Sequence, residues 1–251
     1  MQWRRMQSMK SNLFLIIISA IFLFAIIIFG SFSLNIYNKD FYLKEYQKND
    51  VYSTISPNMS YSKEYTADIT DNLFGYFRGS SELRYFDENE RSHLKDVKFV
   101  ISGINFIYYS SAIFFIIVFV ILYLLSKKDK SGFIDHLSKI ILYSSIASLA
   151  FLIILFVWTV FSFETLFYLM HAILFPQGNW IFPQGSLLIT LFPEQFFFDI
   201  SLRIFVYAIF QSIVFLIIGL WLRKQVNLFR KFKKWRNIYK HSITRCTIQA
   251  F

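Results

Sequence analysis

Histidine is the side chain whose charge changes closest to neutral pH, and the chain has four: His93, His136, His171 and His241. Two stand where proton transfer is plausible chemistry. His93 lies in Glu90-Arg91-Ser92-His93-Leu94-Lys95-Asp96, and at helical spacing both Glu90 (i−3) and Asp96 (i+3) reach its ring. A carboxylate on one ring nitrogen fixes the tautomer and raises the basicity of the other, which is what a general base needs. His171 lies in a stretch, Ile140 to Asn179, whose single formal charge is Glu164. If 163–174 is helical, Glu164, Tyr168 and His171 share a face at i, i+4 and i+7. Polar groups in such apolar surroundings point at partners or at water. His136 and His241 fall among basic residues and read as solvated.

After His171 come Phe175-Pro176-Gln177-Gly178 and, seven residues on, Phe182-Pro183-Gln184-Gly185, with Asn179-Trp180 between them. Proline followed two residues later by glycine suits a type I turn. Backbone N–H groups freed in such turns are able to line an oxyanion hole, and Trp180 suits an interfacial aromatic belt. Other schemes lack their residues: there is no HExxH, no Gly-rich phosphate loop and no GxSxG. The one cysteine, Cys246, has no partner for a disulfide. No compact ligand pair for a metal is present, so neither metal nor cofactor is expected.

The elements that must position these residues follow from composition. Of 251 residues 55% are hydrophobic, 32 are Phe, only 17% are charged, and mean hydropathy is +0.45. One soluble core could not hide that much apolar surface, and disorder needs the opposite balance. Four runs have the length of spanning helices: 13–32, 99–125, 140–161 and 204–222. The first is longer than a signal-peptide core and lacks a cleavage site after it, so it reads as a retained helix.

Cations set the orientation. Segment 1–12 carries Arg4, Arg5 and Lys10; loop 126–139 carries Lys127, Lys128, Lys130 and Lys139; tail 223–251 carries nine cations and no acid. All three are expected in the cytoplasm, with Cys246 in its reducing milieu, which leaves 33–98 and 162–203 outside. Phe229, Phe232 and Trp235 interleave the tail's cations at the spacing of a surface helix, which suits anionic lipids; no nucleic-acid motif is present. Segment 33–98 holds 11 of the 16 acids and many tyrosines. It is too short for a robust core of its own and is expected to pack onto the bundle and the headgroups. Asp87 and Glu90 predict a capped helix start there, Ser56-Pro57-Asn58 a turn, Pro193 another helix start, and Asp199 with Arg203 an i,i+4 pair. The expected fold is all-α and integral to the membrane, with four transmembrane helices.

Several of these residues form a pattern. Asn72-x-x-x-Tyr76-x-x-Gly79, Glu90-x-x-His93-Leu94-x-Asp96-Val97-Lys98, His171-x-x-x-Phe175-Pro176-x-Gly178-Asn179-Trp180 and Leu188-Ile189-x-Leu191-Phe192-Pro193-Glu194 resemble the lipoprotein intramolecular transacylase family of Gram-positive bacteria. The resemblance covers about residues 10–222 and leaves out the basic tail. It implies an acyltransferase of the bacterial cytoplasmic membrane, active on its outer face. Diacylglyceryl lipoproteins would be the substrate, their sn-2 acyl chain moving to the α-amine of the same cysteine to give the lyso form. His93 and His171 would share the proton transfers. Asp96 or Glu164 would orient a ring, Asn179 or loop amides would bind the oxyanion, and Tyr168 and Trp180 would support the site. A membrane ester hydrolase and a non-catalytic sensor or scaffold remain the alternatives.

Overall fold

The computed structural model describes residues 2–127 and 129–248, with side chains for 13–127, 129–233, 235 and 236. The side chains of Arg4, Arg5, Lys10, Lys128, Lys234, Lys240, His241, Arg245 and Cys246 lie outside the described residues. The described chain is helical without a strand. In order come α1 (Gln2–Asn35), α2 (Lys39–Lys48), α3 (Val51–Ile55), α4 (Met59–Arg78), α5 (Glu88–Leu125), α6 (Lys130–Leu174), α7 (Leu187–Leu191) and α8 (Glu194–Ile248).

Four helices, α1, α5, α6 and α8, are long and apolar enough to cross a membrane. Side chains such as Phe99 and Phe161, 80% and 81% exposed, would be an aggregation liability in water but are ordinary lipid-facing groups. At 38, 45 and 55 residues, α5, α6 and α8 are longer than the roughly 20 residues that cross a hydrocarbon core, so each carries extra turns into its flanking segments. In α6 the helical backbone is interrupted at Ser162 (φ −154°, ψ 51°), at the junction between the apolar run and the turns bearing His171. The basic tail, which has the spacing of a surface helix, continues α8 without a break. Phe229, Phe232 and Trp235 on it are 51%, 72% and 71% exposed.

Contacts divide the chain into two compact units. One comprises residues 1–25, 111–149 and 210–251. In it Phe22 stacks on Phe114 at 5.4 Å, and a Cβ on Gly219 would come within 2.9 Å of Leu142, so only glycine permits that approach. Asp135, 7% exposed, accepts from Arg223 and pairs with Lys139 at 2.8 Å and Arg230 at 3.2 Å.

The other unit comprises residues 26–110 and 150–209. Its core is aromatic: Tyr42 meets Phe74 at 4.9 Å and Phe196 at 5.0 Å, and the buried Tyr46 hydroxyl lies 3.1 Å from Thr70 Oγ1. Leu188, Leu191 and Phe196 belong to the same cluster as Phe41, Tyr46, Val51 and Ile69. Segment 33–98 therefore folds by sharing a core with α7 and the start of α8. Within it the Asn38 and Asn58 side chains cap α2 and α4, and outside it α8 begins directly after Pro193, the expected helix start. The Asp199–Arg203 pair does not form. Asp199 takes Lys48 instead, and Arg203 Nε donates to Asn35 Oδ1 at 2.7 Å while its guanidinium lies 4.9 Å from the Phe41 ring. A buried amide oxygen and an aromatic face from elsewhere in the chain outcompete the local partner.

Candidate active site

The first turn of α5 is built as a reciprocal cap. Glu90 N–H donates to Asp87 Oδ1 at 2.8 Å, and Asp87 N–H donates to Glu90 Oε2 at 3.0 Å. Glu90 is only 2% exposed, and its second oxygen accepts from Leu188 N–H at 2.7 Å. Both oxygens are thus committed, one to α5 and one to the N-terminus of α7, and neither serves His93. Upstream, Asn72 ties the approach to α5: its Nδ2 donates to Glu82 O at 2.8 Å and its Oδ1 accepts from Arg84 N at 3.1 Å.

His171 comes from the last turns of α6. Its Nδ1 donates to the Phe167 carbonyl one turn back at 2.8 Å, and because a carbonyl can only accept, Nδ1 carries the proton. Phe175 N–H closes the helix onto His171 O at 2.8 Å, and Gly178 N–H then donates to Phe175 O at 3.0 Å, the expected Pro176 turn. Gly178 sits at φ +77°, a left-handed backbone that suits glycine. The second Phe-Pro-Gln-Gly does not repeat this geometry. There Ser186 N–H donates to Pro183 O at 3.2 Å, and Gly185, at φ +86°, is a central residue of the turn. A seven-residue repeat in sequence becomes two different turns, because the second leads into α7 under the Glu90 carboxylate.

These elements bring His93 and His171 together. Their ring centroids are 6.2 Å apart and their planes 22° from parallel, and the residues are 7% and 6% exposed. Aromatic rings close round them. Phe175 stands 4.7 Å from His93 and 5.5 Å from His171; Phe182 is 5.6 Å from His93; Phe167 and Trp180 are 4.1 and 5.0 Å from His171. Tyr168 is 63% exposed and packs on Trp180 at 5.5 Å, so it supports the wall of the site from outside.

Asp96 hydrogen-bonds no histidine. Its Oδ2 accepts from Gln177 Nε2 at 2.6 Å and from Asn179 Nδ2 at 2.7 Å, and Asn179 Nδ2 also reaches Ser92 Oγ at 3.2 Å. Asn179 is thereby left with no amide proton for an oxyanion. Within the loop, the backbone N–H groups of Gln177, Asn179, Trp180 and Ile181 donate no hydrogen bond among the described residues and are the remaining candidates. Two buried side-chain atoms near the pair also lack a partner, His93 Nδ1 and Asn179 Oδ1. Glu164, exposed, makes no hydrogen bond or ion pair to a described residue. The helical-face reading brought it near His171, but the Phe167 carbonyl occupies the nitrogen that a carboxylate would take. Sequence reasoning passed over Ser92, Gln177 and the cage residues Phe167, Phe175 and Phe182. Phe175 lay inside the recognised motif, whereas nothing in the sequence marks Ser92.

Comparison with known proteins places the chain in a family. A family model described as lipoprotein intramolecular transacylase Lit matches residues 17–197. No curated protein matches the chain. Among solved structures, the chain is similar to the membrane integral lipoprotein intramolecular transacylase Lit from Bacillus cereus: TM-score 0.74 and 22% identity over 87% of this chain and 99% of that one. Two variants of that enzyme, with one histidine replaced by arginine or by alanine, give TM-scores of 0.72 and 0.71 at 21% identity, each over 90% of this chain and over 98% and 99% of theirs.

Proposed function

The chain belongs to the lipoprotein intramolecular transacylase family, and we propose that it moves the sn-2 acyl chain of a diacylglyceryl-cysteine lipoprotein to the α-amine of that same cysteine. The observation that carries the reading is the pair of buried histidines facing each other inside an aromatic cage. The amine and the ester belong to one molecule, so ring closure through the cysteine and glycerol atoms supplies much of the effective molarity. The α-ammonium loses a proton, and the amine lone pair forms the C–N bond at the sn-2 carbonyl carbon. The tetrahedral oxyanion is held by free amides of the 177–181 loop. One histidine takes the second proton from nitrogen, and the other, as imidazolium, gives its proton to the departing sn-2 oxygen as the C–O bond breaks. The products are an amide and a glycerol hydroxyl, and the proton lost by the ammonium passes to solvent. The cage of Phe167, Phe175, Phe182 and Trp180 orders the acyl and glyceryl groups and limits water, which favours transfer over hydrolysis.

In this reading both termini and loop 126–139 face the cytoplasm, and the histidine pair works at the outer face of the cytoplasmic membrane, where lipoproteins are anchored. Asp135, at the start of α6, shares its carboxylate with Arg223 and Arg230, which supports placing that loop and the beginning of the tail on one side.

The test is expression of the full chain in a host whose lipoproteins are the diacylglyceryl form, followed by tandem mass spectrometry of the amino-terminal lipopeptides. Transfer leaves total mass unchanged, so the informative fragment carries one acyl chain on the peptide amine and one on glycerol. This fragment is expected with the wild type and is expected to vanish with His93→Ala and His171→Ala. Release of free fatty acid, or both chains still on glycerol with the protein in the membrane, would refute transfer.

A further inference from the structure

Asn179 has two chemically distinct ends, and Asp96 decides which way it points. A carboxylate can only accept, so the Asn179 nitrogen must face Asp96 Oδ2, at 2.7 Å. The second amide proton has Ser92 Oγ at 3.2 Å. Gln177 Nε2 donates to the same Asp96 oxygen at 2.6 Å, locking the turn that carries Asn179. The amide oxygen is therefore turned to the opposite side, where it is buried and lacks a partner of good geometry. His93 Nδ1 is buried and lacks one too, and Asn179 is bonded to Ser92 and Asp96, the residues of α5 that flank His93 at i−1 and i+3. Nε2 of His93 is not fully buried and makes no hydrogen bond to a described residue; it is the open nitrogen of the ring. A buried acceptor and a buried ring nitrogen, each without another partner, are complementary only if the nitrogen carries hydrogen.

We propose that Asn179 is a positioning residue that holds His93 as its Nδ1–H tautomer, so that Nε2 is the nitrogen that exchanges protons with substrate. Asp96, Ser92 and Gln177 hold Asn179 in that orientation. The role rests on the transacylase reading only for its chemical use; the tautomer itself does not. It makes the two histidines equivalent. His171 has a main-chain amide oxygen behind Nδ1, at 2.8 Å, and in this role the side-chain amide oxygen of Asn179 serves His93 alike. A neutral acceptor fixes each ring without adding a charge that would favour the imidazolium. A pair that trades acid and base roles within one turnover needs that reversibility.

The test uses the full-length protein in lipid nanodiscs with ring-15N histidine, His93 being assigned by the signals lost in His93→Gln. The expected result is a protonated Nδ1 and a pyridine-like Nε2 for His93. In Asn179→Ala the ring should shift toward the Nε2–H form that unconstrained histidine prefers, and kcat on a synthetic diacylglyceryl lipopeptide should fall on the order of 10- to 100-fold with KM little changed. His171 signals that stay in place certify that the variant is folded. Asp96→Asn can still accept from Asn179 and should lose several-fold less than Asp96→Ala. Equal losses in those two variants, a His93 that is Nε2–H in the wild type, or an Asn179→Ala protein with unchanged tautomer and rate would each overturn the proposal. A wild type that forms no N-acyl product refutes the transacylase reading instead, and leaves the tautomer measurement to decide the role of Asn179 alone.

Discussion

His171 carries its orienting acceptor one turn back on its own helix, whereas the partners around His93 come from 80 or more positions along the chain, as the Asp96–Gln177 and Asp96–Asn179 separations of 81 and 83 residues record. That difference explains what could be read at this scale. The two histidines were legible, because ionisable groups beside long apolar runs are rare and costly. The direction of Asn179 was not, since it depends on which of its ends meets a carboxylate supplied by α5. Glu164 looked like a ring partner on helical spacing alone, yet it is exposed and bonds to no described residue, and the Phe167 carbonyl does the orienting. Glu164→Gln is accordingly expected to leave the rate of N-acyl product formation within about twofold of wild type. Trp180→Ala, which removes a ring 5.0 Å from His171, should slow it on the order of tenfold by loosening that histidine and admitting water. Parallel rate measurements on one lipopeptide decide both, and a slow Glu164→Gln would return that carboxylate to the site.

Between elements, one acid does more than its sequence suggests. Glu90 was legible as half of a capping box from Asp87-x-x-Glu90; that its other oxygen would cap α7 through Leu188 N–H was not, because Leu188 lies 98 residues away. Glu90→Ala removes the α5 cap and strands a buried N–H, at about 2–4 kcal/mol together. A clear fall in melting temperature is expected, with Glu90→Gln intermediate because its amide oxygen still accepts one of the two bonds. The α2–α8 contact gives a pH-dependent case. Burial, and next a hydrogen bond to Asp199, raise the pKa of Glu45. A raised folded value means that the protonated form favours the fold: the contribution is whole below the unfolded carboxyl range, near about 4.3, and is lost as pH rises through the folded value. Glu45→Gln mimics the protonated acid, so its melting temperature should exceed that of the wild type at pH 7.5 and converge with it near pH 4. Thermal unfolding at the two pH values checks this; a variant less stable at pH 7.5 would show that the charged carboxylate is the stabilising form. The dependence of segment 33–98 on a shared core was half legible: its length argued against an independent core, but α7 as the partner could not be read from a five-residue run.

For the molecule as a whole, four apolar runs were plain in the sequence because the bilayer demands about 20 apolar residues per crossing. The extended starts of α5 and α8 were marked by the Asp87-x-x-Glu90 cap and by Pro193; the other extensions were not, since polar turns continuing a helix leave no mark in hydropathy. The proposed orientation rests on a different property, the placement of 26 Lys and Arg against 16 Asp and Glu. Three segments hold 16 of those cations, and 11 of the acids lie in 33–98; translocating the basic segments would oppose the positive-inside bias. The single cysteine makes this testable with one reagent. Cys246 lies in the basic tail, so a membrane-impermeant maleimide should leave it unmodified in intact cells whose outer envelope is open, and should label it once the cytoplasmic membrane is permeabilised. In a Cys246→Ser background, Ser60→Cys, exposed near the start of α4, should behave in the opposite way and label before permeabilisation. Labelling of Cys246 in intact cells would overturn the proposed orientation and put the histidine pair on the opposite side of the membrane from the proposed substrate.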